Sequence, residues 1–425
     1  MTSRNECYVY IVPLGETEFV TAGRFRLSKT RDREHIGEFV YGKRYMERRD
    51  AVEFDPVELR LSPQNYETAR MGGFFGAIRD AMPDYWGRRV IERNVGQTIL
   101  DDFDYLLHGA DDRAGALGFG LNVEPPSPKR KFNRTLDLEH LQQIAASIIN
   151  DEAGEITNQH DAKQVQELLL EGTSMGGARP KAVVEDNHSL WVAKFTSPRD
   201  RWNHPRVEHA LLQLAKKCGL NVADSKVTTV AGNDVLLVRR FDRDYTDNGY
   251  RRHRMVSALT LLRSEESPAA KSEWSYLLLA DEIRRASTSP KADLRELYGR
   301  MCFNAIVSNL DDHPRNHAIL AKEKGWRLSP AYDLTPTPTI AIDNRHLAMA
   351  CGNYGRSAKR ANLLTGYGRF LLTKDEAETI IDDIVTVVRN EWDNCLHRAG
   401  ASNNDCKAVS SAFIYDGFFH EMEER

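Results

Sequence analysis

The chain has 425 residues, of which 41% are hydrophobic and 28% charged, and its formal net charge is −4. That length exceeds one ordinary hydrophobic core, so two or three subdomains are expected, with the composition of a soluble globular protein. The charge gives no global drive toward nucleic acid, no apolar run is long enough to span a bilayer, and six dispersed cysteines without a C-x-x-C pair argue against disulfide frameworks and zinc fingers. Residues 1–7 lack the apolar stretch of a secretory signal, and the expectation is a cytoplasmic protein without membrane contact.

Tyr8-Val9-Tyr10-Ile11-Val12 and Gly37-Glu38-Phe39-Val40-Tyr41 read as short strands. Residues 74–91 read as one helix after the Met71-Gly72-Gly73 turn, ahead of Phe103-Asp104-Tyr105-Leu106-Leu107 and a Gly-rich tract over 109–120. Pro125-Pro126-Ser127-Pro128-Lys129-Arg130-Lys131 has the composition of a linker. It divides the chain into an N-terminal α/β subdomain over 1–123, a linker over 124–134 and a second region over 135–425.

In the second region, 162–171 reads as a helix ending at Gly172, and Lys181-Ala182-Val183-Val184 and Leu190-Trp191-Val192-Ala193-Lys194-Phe195 as strands around Asp186-Asn187. A helix over 206–218 has Pro205 in its favoured first turn, stops at Gly219, and carries Val207, Leu211, Leu214, Ala215 and Cys218 on one face. Residues 227–230 and 235–238 form a hairpin about Gly232-Asn233, and beyond about 245 the pattern is mainly helical.

The strongest chemical signal is Asn309-Leu310-Asp311-Asp312-His313-Pro314-Arg315-Asn316. It follows a helix over 294–308 and precedes a hairpin of 317–320 and 326–328, after which stands Ala331-Tyr332-Asp333-Leu334. Phosphoryl transfer in kinase-like sites needs a carboxylate beside the attacking hydroxyl, plus an Asn and a second Asp to hold magnesium. Asp311, Asn316 and Asp333 supply these in that order, and the hairpin folds Asp333 back toward Asn316. Asp311 is preferred to Asp312 as the base because its spacing to Asn316 matches a kinase catalytic loop. Asp and Asn are also common in loops, so the octapeptide alone reads equally as a polar turn.

Three further segments fit ATP. In the Gly-rich loop from Gly172 to Lys181, backbone amides around Ser174, Gly176 and Gly177 can cradle phosphates, with Lys181 at its end. No Gly-Lys-Ser/Thr runs into a helix, so the loop reads as a lid over ATP or an ordinary turn, not a P-loop. Lys194, inside an apolar strand, suits the ATP phosphates, or reaches solvent from a strand edge; Glu208 on the next helix is a candidate partner. Leu236-Leu237-Val238-Arg239-Arg240-Phe241-Asp242-Arg243 ends a strand where a hinge would hold adenine, Phe241 packing on the purine and backbone from Arg239 to Phe241 reading its edge. The structural alternative makes Phe241 a core residue and pairs Asp242 with a nearby arginine.

Taken together, these segments resemble the HipA family of bacterial toxin–antitoxin kinases over nearly the whole chain. The residues that carry the likeness are Ser174-Met175-Gly176-Gly177-Ala178-Arg179-Pro180-Lys181, Val192-Ala193-Lys194-Phe195, Arg240-Phe241-Asp242-Arg243, Asn309 to Asn316 and Tyr332-Asp333-Leu334-Thr335-Pro336. In the front region they are Phe74-Phe75 through Met82-Pro83-Asp84, Asp104-Tyr105-Leu106-Leu107 and Asp112-Arg113-Ala114-Gly115-Ala116-Leu117. The resemblance implies an α+β chain with a divergent protein-kinase-like fold and an added N-terminal α/β subdomain. It implies an ATP- and Mg2+-dependent serine/threonine protein kinase acting on protein targets, often components of translation. Asp311 would be the base, Asn316 and Asp333 the magnesium ligands, Lys194 the ATP-phosphate contact and Ser174 an autophosphorylated, self-inactivating serine. The implied partner is a HipB-like helix-turn-helix antitoxin, through which contact with DNA would be indirect.

Arg239 departs from an acidic residue found in some members, leaving only backbone recognition of adenine there, and the apolar Ser257-Ala258-Leu259-Thr260-Leu261-Leu262 departs from a polar stretch. A small-molecule kinase of the aminoglycoside-phosphotransferase kind shares the Asp311, His313, Asn316 spacing; the Ser174 loop and the front region argue against it. A non-catalytic regulatory module is disfavoured by the intact Asp311, Asn316, Asp333 and Lys194.

Overall fold

Strand β2 (Val20–Lys29) shows why the front of the chain folds as a sheet. Phe25 is buried between exposed Arg24 and Arg26, the period of two that puts alternate side chains on opposite faces. With β1 (Glu6–Ile11), β3 (His35–Tyr41), β4 (Asn65–Thr68) and β5 (Leu117–Gly120) it forms an antiparallel sheet in the order β4-β3-β2-β1-β5. Phe25 stands opposite Phe39 in the β2–β3 register, and both rings are buried. Phe74 and Phe103 pack on Phe25 with ring centroids 5.4 and 6.2 Å away, and Phe54 lies 5.1 Å from Phe39.

The structure is a computed structural model that describes residues 5–29, 34–96, 100–128, 132–150, 179–197, 200–339, 341 and 343–422. The expected helix over 162–171 and the loop residues Ser174, Gly176 and Gly177 lie outside the described residues. The single helix expected over 74–91 is instead two, α1 (Gly76–Asp80) and α2 (Tyr85–Val95). Pro83 has no N–H to continue the first, and the Asp84 carboxylate starts the second by accepting from Gly87 N at 2.7 Å. Residues 103–107 belong to a helix, α3 (Asp102–His108), opened by a reciprocal cap between Asp101 and Asp104.

By compactness the chain divides into two units: Met1–Ser197 with Val238–Val256 and Leu320–Lys324, and Pro198–Leu237 with Ser257–Ile319 and Gly325–Arg425. The first unit takes in more than the front sheet. Strand β6 (Asn133–Arg134), within the expected linker, runs parallel to β7 (Lys181–Asp186), which pairs antiparallel with β8 (Ser189–Lys194). Asn187 and His188, at φ 47° and 59°, make the tight β7–β8 turn.

Within this unit, residues 111–115 and 240–243 are joined by charges that are out of water. Arg240 grips Asp242 with two guanidinium nitrogens at 3.0 and 2.9 Å and Asp112 with a third at 2.5 Å. Arg243 reaches Asp242 at 2.7 Å and Asp112 at 3.2 Å, and Gly115 N donates to Asp242 at 2.9 Å. All four side chains are buried, so their formal charges sum to zero inside the protein. Burial alone would raise both carboxyls, but Arg240 and Arg243 outweigh it and hold Asp112 and Asp242 below the usual range. Gly115, at φ 77°, adopts a backbone that L side chains avoid, and a Cβ there would stand 3.3 Å from Met255 N.

The second unit is built on helices α4 (His204–Lys217), α5 (Tyr276–Ala286), α6 (Pro290–Ile306) and α7 (Lys374–Arg398). Asn203 caps α4 through Arg206 N, with Pro205 in the first turn as expected. Helix α6 is buried on every face over 297–306, which makes it the core element; α5 and α7 pack against it, and α4 packs on α7.

Asp242→Asn leaves the buried arginines half-compensated and is expected to lower stability by about 3–5 kcal/mol, seen as an earlier chemical-denaturation midpoint. A carboxyl with a depressed folded pKa stabilises above its unfolded value, and that stability is lost as pH falls through the folded one. Acid unfolding of the parent should therefore steepen below about pH 4, and the variant should show less of this dependence. A variant as stable as the parent would contradict the role given to the network.

Candidate active site

The site residues of the second unit begin where α6 ends. Ser308, at φ 51°, breaks the helix. Asn309 N then bonds back to Asn304 O at 2.8 Å, while its side-chain amide donates to the Asn304 side chain at 3.1 Å. Asn304 donates in turn to the Tyr276 hydroxyl at 3.1 Å, and Tyr276 donates to the Asp312 carboxylate. His317 Nε2 stands 2.8 Å from the same carboxylate oxygen, with its ring edge-on to Tyr276 at 5.3 Å. Asp312, Tyr276, Asn304 and His317 are all buried. Asp312 is thereby committed as the anchor of the turn.

Asp311, one residue earlier, is exposed. Its carbonyl accepts from His313 N at 2.8 Å and from Asn316 Nδ2 at 3.3 Å, which closes the Pro314–Asn316 turn. Because Nδ2 must face that carbonyl, the Asn316 side-chain oxygen is turned away from it. Arg315 is ion-paired with Glu266 at 2.6 Å.

The Asp333 segment returns to this turn by a separate set of bonds. The expected hairpin forms from strands Ala318–Ala321 and Arg327–Leu328, with Ser329 N donating to Ala318 O at 2.9 Å. Asp293 on α6 holds Arg327 at 2.9 Å and Leu328 N at 3.0 Å. Buried Arg300 donates to Ser329 O at 2.6 Å, and Ala331 exchanges bonds with Asn221 O at 2.8 Å and Ala223 N at 2.9 Å. Tyr332 then donates to Arg315 O at 2.7 Å, tying the residue before Asp333 to the residue before Asn316. Asp333 is half-buried with φ 58°, a left-handed conformation uncommon for a residue other than glycine.

The first unit carries the remaining candidates. Lys194 is half-buried on β8, Phe241 is half-buried, and Arg239 is exposed. Glu208 is buried on α4 of the second unit. Lys181 departs from its expected part as a phosphate contact: its ammonium is buried and paired with Asp84 at 2.5 Å, while its carbonyl accepts from Trp86 Nε1 at 3.1 Å. A buried lysine at the start of β7 is stable there because Asp84 supplies the opposite charge. Of the structural alternative for Arg240-Phe241-Asp242-Arg243, the pairing of Asp242 with arginines is present, whereas Phe241 is half-buried and not a core residue. Tyr276, Asn304, Asp312 and His317 were not singled out as a set by the sequence, because Tyr276 lies far from the turn it anchors.

Removing the Asp312 carboxylate strands the Tyr276 hydroxyl and the His317 ring, so Asp312→Ala is expected to cost about 1–3 kcal/mol in a thermal or chemical melt. Asp311→Ala, at an exposed position, should stay within about 0.5 kcal/mol of the parent. Equal losses from both would mean that the two carboxylates share one structural role.

Comparison with known proteins extends these observations. The HipA-like C-terminal domain family matches residues 173–392, and the HipA N-terminal domain family matches residues 21–120. Two relatives bear the name "Putative kinase". That of Sinorhizobium fredii is 25% identical over 355 residues, 78% of this chain and 79% of its own. That of Haemophilus influenzae is 25% identical over 222 residues, 47% of this chain and 64% of its own. A chain from the Shewanella oneidensis complex of HipA, HipB and operator DNA shares the fold, with a TM-score of 0.66 at 16% identity over 96% of this chain and 94% of that one.

Proposed function

Because the chain belongs to the HipA family, we propose that it is the ATP- and Mg2+-dependent serine/threonine protein kinase of a toxin–antitoxin pair. The observation that carries this reading is the division of labour between adjacent carboxylates. Asp312 is locked by Tyr276 and His317, which leaves exposed Asp311 to meet a substrate hydroxyl.

The donor set fits magnesium. Asn316 and Asp333 offer oxygen atoms, which suit a hard divalent cation. These residues would hold Mg2+, which would offset the negative charge of the transferring phosphoryl group. Asp311 accepts the proton of a serine or threonine hydroxyl as that oxygen bonds to the γ-phosphorus. The bond from phosphorus to the bridging oxygen breaks, and ADP leaves with its electron pair. Lys194 is assigned to the ATP phosphates, and backbone near Arg239 and Phe241 to adenine. Lys181 is left out of that set because Asp84 occupies it.

Regulation is assigned to Ser174: its own phosphorylation would add roughly −1.5 to −2 charges to the Gly-rich loop and repel ATP. The partner is a HipB-like helix-turn-helix antitoxin, so contact with DNA is indirect, in keeping with a net charge of −4. The Shewanella oneidensis complex, which contains HipB and operator DNA, supports that assignment. Protein targets would include a component of translation.

Asp311→Asn should keep nucleotide binding and lose transfer by about 10²–10⁴-fold, while Asp333→Ala should lose magnesium-dependent nucleotide binding. Near-normal transfer by either variant would overturn the assignment of that residue. After incubation with ATP, mass spectrometry should find phosphate on Ser174 of the parent and not of Asp311→Asn, and the modified protein should bind fresh ATP more weakly. Equal phosphate on the inactive variant would end the self-inactivation reading and leave the kinase reading intact.

A further inference from the structure

We propose that Asp393, His397 and Cys406 form a binding site for a zinc-class divalent cation, latching the end of α7 to the next helix, α8 (Asn403–Val409). Asp393 and His397 are four residues apart on α7 and therefore share a face. His397 Nε2 lies 3.6 Å from Asp393 Oδ2 and 3.9 Å from Cys406 Sγ, and the three ligand atoms all fall within 4.8 Å of one another. A carboxylate and an imidazole at 3.6 Å are too far apart for a hydrogen bond. Donors bound tetrahedrally at about 2.0–2.3 Å from zinc sit roughly 3.3–3.6 Å from each other, so the exposed Asp393 and His397 side chains must draw in from spacings of up to 4.8 Å to complete the geometry.

Charge and access agree. A carboxylate, a thiolate and a neutral imidazole together balance a doubly charged ion. His397 is also in the last turn of a 25-residue helix, where the helix dipole favours a cation. Asp393 and His397 are 52% and 44% exposed while Cys406 is buried, so the sulfur lines the floor and the mouth stays open for ion entry and a water ligand. Binding releases the Cys406 thiol proton to solvent as the sulfur–metal bond forms. Cys406 is held in place independently of any ion. Ser402 and Asp405 cap α8 reciprocally, and Asp405 also accepts from Asn203 N at 2.8 Å. The soft sulfur ligand selects a zinc-class ion over Mg2+, so this site is chemically distinct from the one assigned to Asn316 and Asp333.

The test is titration of the reduced full-length chain with Co2+ alone. One equivalent should produce thiolate-to-cobalt charge-transfer absorption that Zn2+ abolishes by displacement, and Zn2+ should raise the thermal midpoint. Cys406→Ser should remove the absorption, and Asp333→Ala should leave it unchanged. Loss of a second-shell partner already weakens metal binding about 10–100-fold, so His397→Gln and Asp393→Asn should weaken it at least tenfold. Both substitutions are at exposed positions and decide the matter even if the cysteine variant misfolds. No charge-transfer band at stoichiometric cobalt, a band that survives Cys406→Ser, or a band indifferent to His397→Gln and Asp393→Asn would overturn the proposal.

Discussion

Two arginines and two aspartates out of water hold the first unit together. Taking such charges from solvent costs several kcal/mol per ion, and the cost is offset only when every charge is matched and every remaining donor is used. Arg240, Arg243, Asp112 and Asp242 match one another's charges, and Arg113 O and Gly115 take up further bonds. The arrangement forces residues 111–115 and 240–243 to fold as one body although they are far apart in the chain. The Asp84–Lys181 pair works in the same way, joining the start of α2 to β7. The front sheet is therefore not a separable appendage of this unit: residues on either side of the proline-rich stretch are needed to neutralise one another.

A similar economy governs the second unit. Two consecutive aspartates occupy opposite environments because one of them meets a tyrosine and a histidine in the core. Once Asp312 is fixed, Asp311 has to project outward at the start of a turn closed by Asn316. Arg300, Asp293 and Tyr332 supply the second constraint, since they bring the chain back after its hairpin and set the approach to Asp333. Asp311 thus stands exposed, Asp333 half-buried and Asn316 buried, each on backbone held by buried neighbours.

Much of this was legible in the sequence where the signal is local. The β7–β8 hairpin, the helix opened by Pro205 and the hairpin before Asp333 each carry their own period, cap or turn residues, and each appears close to its expected place. What was not legible depends on partners distant in the chain. Nothing near Lys181 indicates that Asp84 will bury it, and nothing near Asp312 indicates Tyr276. Pro83 breaks a helical pattern that runs on both sides of it, so the local periodicity masks the division into α1 and α2. Spacing between cysteines does not reveal Cys406, because its neighbours are an aspartate and a histidine on a different helix.

The proposed activity is transfer of the terminal phosphoryl group of ATP to protein hydroxyls. The most direct measurement compares γ-labelled with α-labelled ATP, each incubated with the purified chain, magnesium and a bacterial lysate, followed by phosphoamino-acid analysis of labelled proteins. Label should reach serine or threonine from γ-labelled ATP only, and should require magnesium. Protein label from α-labelled ATP, or γ-label that appears only in small molecules, would contradict it.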